Sequence, residues 1–181
     1  ASSLLQTSLN LNPKIILLPG GSSPKILFKR LAESNILWKK ISIMATDDRV
    51  VPFTSSHSNT GKIQYEFVNK IEQKNKPNLI KLYSEQDNEI HYNLSQLEKL
   101  LKLNTPDFAF LGMGEDGHIA GIFNKSSPNH YCYDLKNKWE PFRRITISMN
   151  VFLKTKNIIL YILGKEKNKM LSSILLKKTP N

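Results

Sequence analysis

The feature that most limits what this chain can fold into is a series of short apolar runs, each stopped by glycine, proline or a polar cluster. They lie at 14–19, 41–46, 79–83, 107–111, 144–149 and 157–163. Runs of this length bounded by turn residues read as strands rather than helices. Apart from 144–149 (Arg-Ile-Thr-Ile-Ser-Met), which alternates, they carry apolar residues at consecutive positions, as strands covered on both faces do. Segments of helical period separate them. The expected fold class is therefore α/β: a doubly wound, mostly parallel sheet with helices on both faces, which 181 residues fill as one domain over 1–181. In such folds ligands bind at the carboxyl ends of the strands.

The helices are punctuated in the usual chemical terms. Ser23 reads as an N-cap and Pro24 as the first residue of a helix whose stripe is Leu27, Phe28, Leu31 and Ala32. Ser58 reads as the cap of a second helix, in which Ile63, Phe67 and Ile71 recur at every fourth position. Ile90, Leu94, Leu97 and Leu101 mark a third, closed by Pro106. A helical turn is expected over 150–156, and after Gly164 a last helix with Met170, Leu171, Ile174 and Leu175 facing inward. The stretch 124–141 has no period and reads as a long surface excursion. Every glycine except Gly61 falls in or just past a post-strand loop, where the backbone must turn sharply or approach a ligand.

Charge narrows the ligand class without choosing a ligand. There are 26 Lys+Arg against 15 Asp+Glu, a net charge of +11 at pH 7, which fits nucleic acid, an acidic membrane surface or a phosphorylated small substrate. Much of the lysine is dispersed over helical faces (Lys62, Lys70, Lys74, Lys99, Lys102). No aromatic stack of the kind that holds single-stranded bases lies in the glycine loops, so nucleic acid is disfavoured. The longest apolar run, 158–163, is far short of the ~20 residues that cross a bilayer, and 1–11 lacks a signal-peptide pattern, so no membrane partner is expected. The single cysteine, Cys132, forms no internal disulfide and no thiolate cluster, and the expected compartment is the cytoplasm.

Four post-strand segments collect the reactive side chains. Gly20-Gly21-Ser22-Ser23 offers free N–H groups, two hydroxyls and a helix N-terminus to an anion, without the Gly-Lys-Ser/Thr of a Walker loop. Asp47-Asp48-Arg49 sets two carboxylates and a guanidinium behind the second strand. Gly112 to Gly117 matches G-x-G-x-x-G, but it sits mid-chain, and the acid expected about twenty positions later would be Asp134, which is not at a strand end. No nucleotide cofactor is expected. Instead His118 follows that glycine turn with Asp116 two residues before it, a setting that His57, His91 and His130 lack, and is the candidate general acid/base. Arg144 and Lys167 are candidate cations for an anionic substrate, with Arg143 and Lys165 as close rivals.

In order along the chain, these segments resemble 6-phosphogluconolactonase, within the larger group of sugar-phosphate lactonases and amino-sugar-phosphate deaminases. Gly20-Gly21-Ser22-Ser23-Pro24 is similar to the family's Gly-Gly-Ser-Thr-Pro phosphate loop, and Asp47-Asp48-Arg49-Val50-Val51-Pro52 to its Asp-Glu-Arg-x-Val-Pro segment. Ser58-Asn59 resembles the Ser-Asn pair that follows, and 111–118 the signature Leu-Gly-Met-Gly-x-Asp-Gly-His. Arg144-Ile145-Thr146 and Gly164-Lys165-Glu166-Lys167 resemble the late Arg-x-Thr and Gly-x-x-Lys elements.

The resemblance implies a hydrolase that opens 6-phospho-D-glucono-1,5-lactone to 6-phosphogluconate, the second step of the oxidative pentose phosphate pathway, with no metal and no cofactor. It implies His118 as the proton carrier, Arg49 as the oxyanion partner, and Asp116 and Asp47 as orienting carboxylates. The substrate is expected on Gly20, Gly21, Ser22, Ser23, Asn59, Gly114, Arg144 and Lys167. After His118 the family usually reads Thr-Ala-Ser-Leu-Phe-Pro, whereas this chain has Ile119-Ala120-Gly121-Ile122-Phe123-Asn124. The deaminase branch carries a Glu five residues after the His; here that position is Phe123, which disfavours a glucosamine-6-phosphate deaminase/isomerase activity. A non-catalytic sugar-phosphate or nucleic-acid binding module is the alternative of another class, and retention of His118 and Arg49 argues against it. Family members usually begin with a helix before the first strand and close with a segment after the last helix. The chain is thus expected to lack flanking segments or to be part of a fusion or association with glucose-6-phosphate dehydrogenase, which the family shows in some lineages.

Overall fold

Four consecutive apolar residues form β1 (Ile15–Leu18), and all four are buried. The computed structural model describes residues 15–21, 23–85, 90–123, 129–136, 138 and 140–176. β1 pairs in parallel with β2 (Ser42–Ala45) on one side and β5 (Phe108–Leu111) on the other. β4 (Asn78–Ile80) lies outside β2 and β8 (Asn157–Leu160) outside β5, giving a parallel sheet in the order β4-β2-β1-β5-β8. Strands β1 and β5 sit at its centre and are buried throughout, which is why they read as unbroken apolar runs.

A second sheet corrects two expectations. Asp47-Asp48-Arg49 is not a loop: it forms β3 (Asp47–Arg49), antiparallel to β7 (Arg143–Ile147), which in turn pairs with β6 (Cys132–Lys136). The 124–141 excursion therefore contains a strand. β3 escapes a reading of apolar period because all three of its side chains are charged, and β6 because Asp134 and Lys136 break up Cys132, Tyr133 and Leu135. Thr46 joins the two sheets, donating its N–H to Leu18 O at 2.9 Å and accepting from Ile147 N at 3.0 Å.

The helices follow their stripes with three departures. α1 (Lys25–Ala32) buries Leu27, Phe28 and Leu31, but its N-cap position is Pro24, whose carbonyl accepts from Phe28 N at 2.8 Å; Ser23 stands one residue earlier, on the turn. α2 (Asn59–Glu66) is capped as expected, with Ser58 Oγ accepting from Gly61 N at 2.9 Å. It stops at Glu66, however. Phe67 leaves helical dihedrals (φ −124°, ψ −67°) and packs against Trp38 edge-on at 5.0 Å and Phe28 at 5.9 Å, so Phe67 and Ile71 are core residues outside the helix. α3 (Ile90–Leu103) buries Leu97 and Leu101, and α4 (Met149–Lys154) buries Val151 and Phe152.

The third departure is at the end of the chain. The most apolar run, expected as a strand over 157–163, is a strand only to Leu160 and lies at the edge of the sheet among the described residues, leaving Ile158 at 47% and Leu160 at 45% exposure. On α5 (Lys165–Leu176), Met170 and Leu171 are half-buried but Ile174 is exposed; the Leu175 side chain lies outside what is described. Among the described residues no helix is long and apolar enough to cross a membrane.

Candidate active site

The carboxyl ends of the parallel strands open into one cleft of about 360 Å³, the size of a small-molecule site. Gly20, Gly21 and Ser23 enter it after β1, Asp47 and Arg49 after β2, Gly114 and His118 after β5, and Lys167 after β8. Asn59 comes from α2 and Arg144 from β7. His118 and Arg49 thus face a common cavity. Asp116 stands directly behind His118, and Ser22 lies outside the described residues.

Glycine chemistry presents the imidazole. Gly117 turns the chain at φ +88°, and Gly114 N–H donates to His118 O at 2.9 Å, closing the loop on itself. A Cβ at Gly114 would fall 2.3 Å from both His118 Cε1 and Nδ1, so only glycine leaves room for the ring. Here the glycine spacing makes room for one imidazole and turns the chain that carries it. Asp116 Oδ1 meets His118 Nδ1 at 2.5 Å and also accepts its backbone N–H at 3.2 Å. The slight burial of Asp116 would raise its pKa, but the His118 hydrogen bonds outweigh it and hold the carboxyl below its ordinary range. An ionised carboxylate only accepts, so Nδ1 is the donor in this contact, and in the neutral ring Nε2 is then the acceptor. The Phe123 ring covers the imidazole at 4.4 Å.

Arg49 is held by a relay that begins with Asp48. Asp48 is buried; its Oδ1 accepts from Arg49 N at 2.8 Å and Asn59 N at 2.6 Å, and its Oδ2 from Thr60 N at 2.9 Å and Ser58 Oγ at 3.2 Å. The carboxylate thereby caps α2 from a distant strand and fixes the backbone of Arg49. Asn59 Nδ2 donates to Asp47 O at 2.9 Å, while Arg49 Nη1 donates to His57 O at 3.1 Å and Asn59 Oδ1 at 3.4 Å. Gly20 makes space for this carboxamide: a Cβ there would come within 2.0 Å of Asn59 Cγ. Asp48 anchors the backbone of Arg49 and Asn59, a task the sequence does not mark, because Ser58 already supplies the local cap and the contact to Asp48 exists only once β3 and α2 are side by side.

Arg144 is buried and doubly paired. Nη1 donates to Asp47 Oδ2 at 2.6 Å, Nε to Glu140 Oε2 at 2.5 Å, and Nη2 to Glu140 Oε1. Burial pushes the Asp47 carboxyl above its ordinary value against the pull of Arg144. The Arg144 hydrogen bonds hold Glu140 below its own. For Arg144 itself, burial acts downward, but the bonds and charges of Glu140 and Asp47 prevail and raise it. Its rival Arg143 instead points to Asp134, 2.6 Å from Nε, and Lys165 does not line the cleft. Glu140 and Tyr161 line it and were not foreseen: Glu140 sits in a stretch without period, and Tyr161 lies inside an apolar run whose strand ends at Leu160, three residues sooner than expected, which puts Tyr161 just past the strand's carboxyl end.

The family model described as Glucosamine-6-phosphate isomerases/6-phosphogluconolactonase matches residues 5–181. The chain belongs to this family. Within the glucosamine-6-phosphate isomerase/6-phosphogluconolactonase family, it is 34% identical to the 6-phosphogluconolactonase of Haemophilus influenzae over 94% of this chain and 77% of that protein. It is 32% identical to a probable 6-phosphogluconolactonase of Dictyostelium discoideum, over 84% of this chain and 70% of that one. The crystal structure of a 6-phosphogluconolactonase from Thermotoga maritima has the same fold, with a TM-score of 0.83 at 24% identity, covering 98% of this chain and 84% of that one. A putative 6-phosphogluconolactonase from Neisseria gonorrhoeae matches with a TM-score of 0.79 at 26% identity, over 95% and 79%.

Proposed function

We propose that this chain hydrolyses 6-phospho-D-glucono-1,5-lactone to 6-phosphogluconate, with His118 as the proton carrier. The observation that carries the reading is the Asp116–His118 pair, at 2.5 Å, on the same cleft as Arg49. A δ-lactone is an ester. Its opening needs a water deprotonated, an oxyanion neutralised and the ring oxygen protonated as it leaves.

His118 Nε2 takes a proton from water as the water oxygen bonds to the lactone carbonyl carbon. The carbonyl electrons move onto oxygen, where the Arg49 guanidinium offsets the charge. Collapse of that tetrahedral intermediate breaks the bond to the ring oxygen, which takes the proton back from the imidazolium. The new carboxylic acid then loses its proton to solvent. Asp116 stabilises the imidazolium formed midway. The phosphate rests beside Gly21 and Ser23 at the start of α1, with Arg144 and Lys167 as its cations. The position five residues after His118 is Phe123, whose ring lies 4.4 Å from the imidazole, which favours ester opening over a deaminase chemistry that calls for a Glu there.

The test is a coupled assay on freshly generated lactone, corrected for spontaneous opening. The wild-type chain accelerates opening, and His118→Ala loses about 10²–10⁴-fold in rate while still binding 6-phosphogluconate. A wild-type chain that binds 6-phosphogluconate without accelerating opening is a binding module. Full activity in His118→Ala removes the imidazole from the mechanism.

A further inference from the structure

The lactone chemistry leaves Glu140 without a task, yet its placement is specific. It grips Arg144 side-on, Nε on one carboxylate oxygen and Nη2 on the other. That two-point fork is the geometry in which a guanidinium also binds two oxygens of a phosphate. The carboxylate therefore occupies the donors that an incoming phosphate would use.

The two carboxylates on Arg144 differ in their freedom. Asp47 holds Nη1 from within, its side chain 7% exposed, and its backbone is pinned in β3 opposite Thr146. Glu140 is 26% exposed and lies ahead of β7, outside any strand. Arg144 itself is 8% exposed and fixed in β7 between Arg49 and Leu135. If Glu140 swings toward solvent, the guanidinium keeps its plane and presents an open fork to the cleft. Asp47 keeps its hold on Nη1, but release leaves Nε and Nη2 as buried donors without a partner, a cost that another anion on the fork removes.

We propose that Glu140 is a built-in anion that fills the Arg144 fork when the cleft holds no phosphate, and that a phosphate-bearing ligand binds by displacing it. The inference rests on the reading of the cleft as a sugar-phosphate site. It makes Glu140 a specificity-determining residue: a lactone without a phosphate offers Arg144 nothing in exchange for the carboxylate and is refused.

The experiment compares wild-type and Glu140→Gln chains by calorimetric titration with inorganic phosphate and with 6-phosphogluconate, and by KM for the phosphorylated lactone. The amide keeps the shape but loses the charge that competes. Kd for both anions falls about tenfold, the scale of one charge-assisted contact, and KM falls with it. Glu140→Ala, which removes the side chain altogether, moves both in the same direction. In an Arg144→Lys background the gain disappears, because a point charge has no fork to compete for. Weaker or unchanged anion binding in Glu140→Gln and Glu140→Ala overturns the proposal and leaves Glu140 a brace for Arg144. A gain that survives in Arg144→Lys also overturns it, since the effect is then general charge. Phosphate titration needs no turnover, so a wild-type chain that opens no lactone while Glu140→Gln still tightens on phosphate refutes the lactonase reading alone.

Discussion

At the scale of single residues, two of the three glycines of the G-x-G-x-x-G stretch are required, each for a different reason. A Cβ at Gly112 would meet only Pro19, at 3.8 Å; Gly117 supplies a positive φ; and Gly114 supplies the volume that the His118 ring fills. The motif therefore codes for the presentation of one side chain. Gly114→Ala tests this directly. The new methyl group would also stand 2.6 Å from Asp116 Oδ1, so ring and carboxylate must both shift. Turnover falls by about 10²-fold or more, the cost of misplacing a catalytic group by roughly 1 Å, while circular dichroism is unchanged. Turnover at the wild-type level would mean that proton transfer does not depend on this ring position.

At the scale of elements, the interest lies in what ties α2 to β3. Asp48 accepts four hydrogen bonds, three from the start of α2 and one from Arg49 N of β3, and is buried. Asp48→Ala leaves buried donors without partners and is expected to cost about 2–4 kcal/mol, read as a lower urea midpoint. Turnover of the surviving folded fraction also drops, because Arg49 and Asn59 lose their common anchor. A loss under about 0.5 kcal/mol, the range of an ordinary surface change, would show that Ser58 suffices as the cap. The same contact shows where sequence reading stops. Strands β1 and β5 were legible because burial on both faces demands unbroken apolar runs, and α1 because Leu27, Phe28 and Leu31 share a face. β3 was not, since Asp-Asp-Arg has no apolar period and its place is set by Arg144 to Thr146, about a hundred residues away. The end of α2 was missed because Phe67 keeps the helical spacing while its ring answers to Trp38 and Phe28. That the glycine loops meet at one cleft was legible from their places at strand ends. Glu140 was not, because its role arises only when Arg144 is brought beside it.

At the scale of the whole molecule, the two sheets share one core: Ile145, Ile147 and Cys132 of the antiparallel sheet pack in the same cluster as Ile16 and Ile43 of the parallel one. The apolar run at Ile158 and Leu160 predicted depth and found an edge, because hydrophobicity reports what a strand tolerates and not where it stands in the strand order. A shared core implies that the two sheets open as one unit, and Cys132 is placed to report it. Its backbone N–H and that of Tyr131 donate to Glu98 of α3, at 3.0 and 2.6 Å, and its thiol contacts Leu94 O at 3.6 Å. Burial, with the Glu98 charge second, pushes that thiol up to about 12 from an ordinary 9.0. At pH 8 the native thiol is thus held in its protonated form and shielded, whereas an unfolded chain exposes it near its ordinary value, and the thiolate is the reactive form. A disulfide reagent at pH 8 is thus nearly inert toward the native protein, and labelling across a urea series follows the same sigmoid as circular dichroism at 222 nm. Labelling that precedes the loss of ellipticity would mean that β6 and β7 detach first, carrying Arg144 out of the cleft while the parallel sheet is still folded.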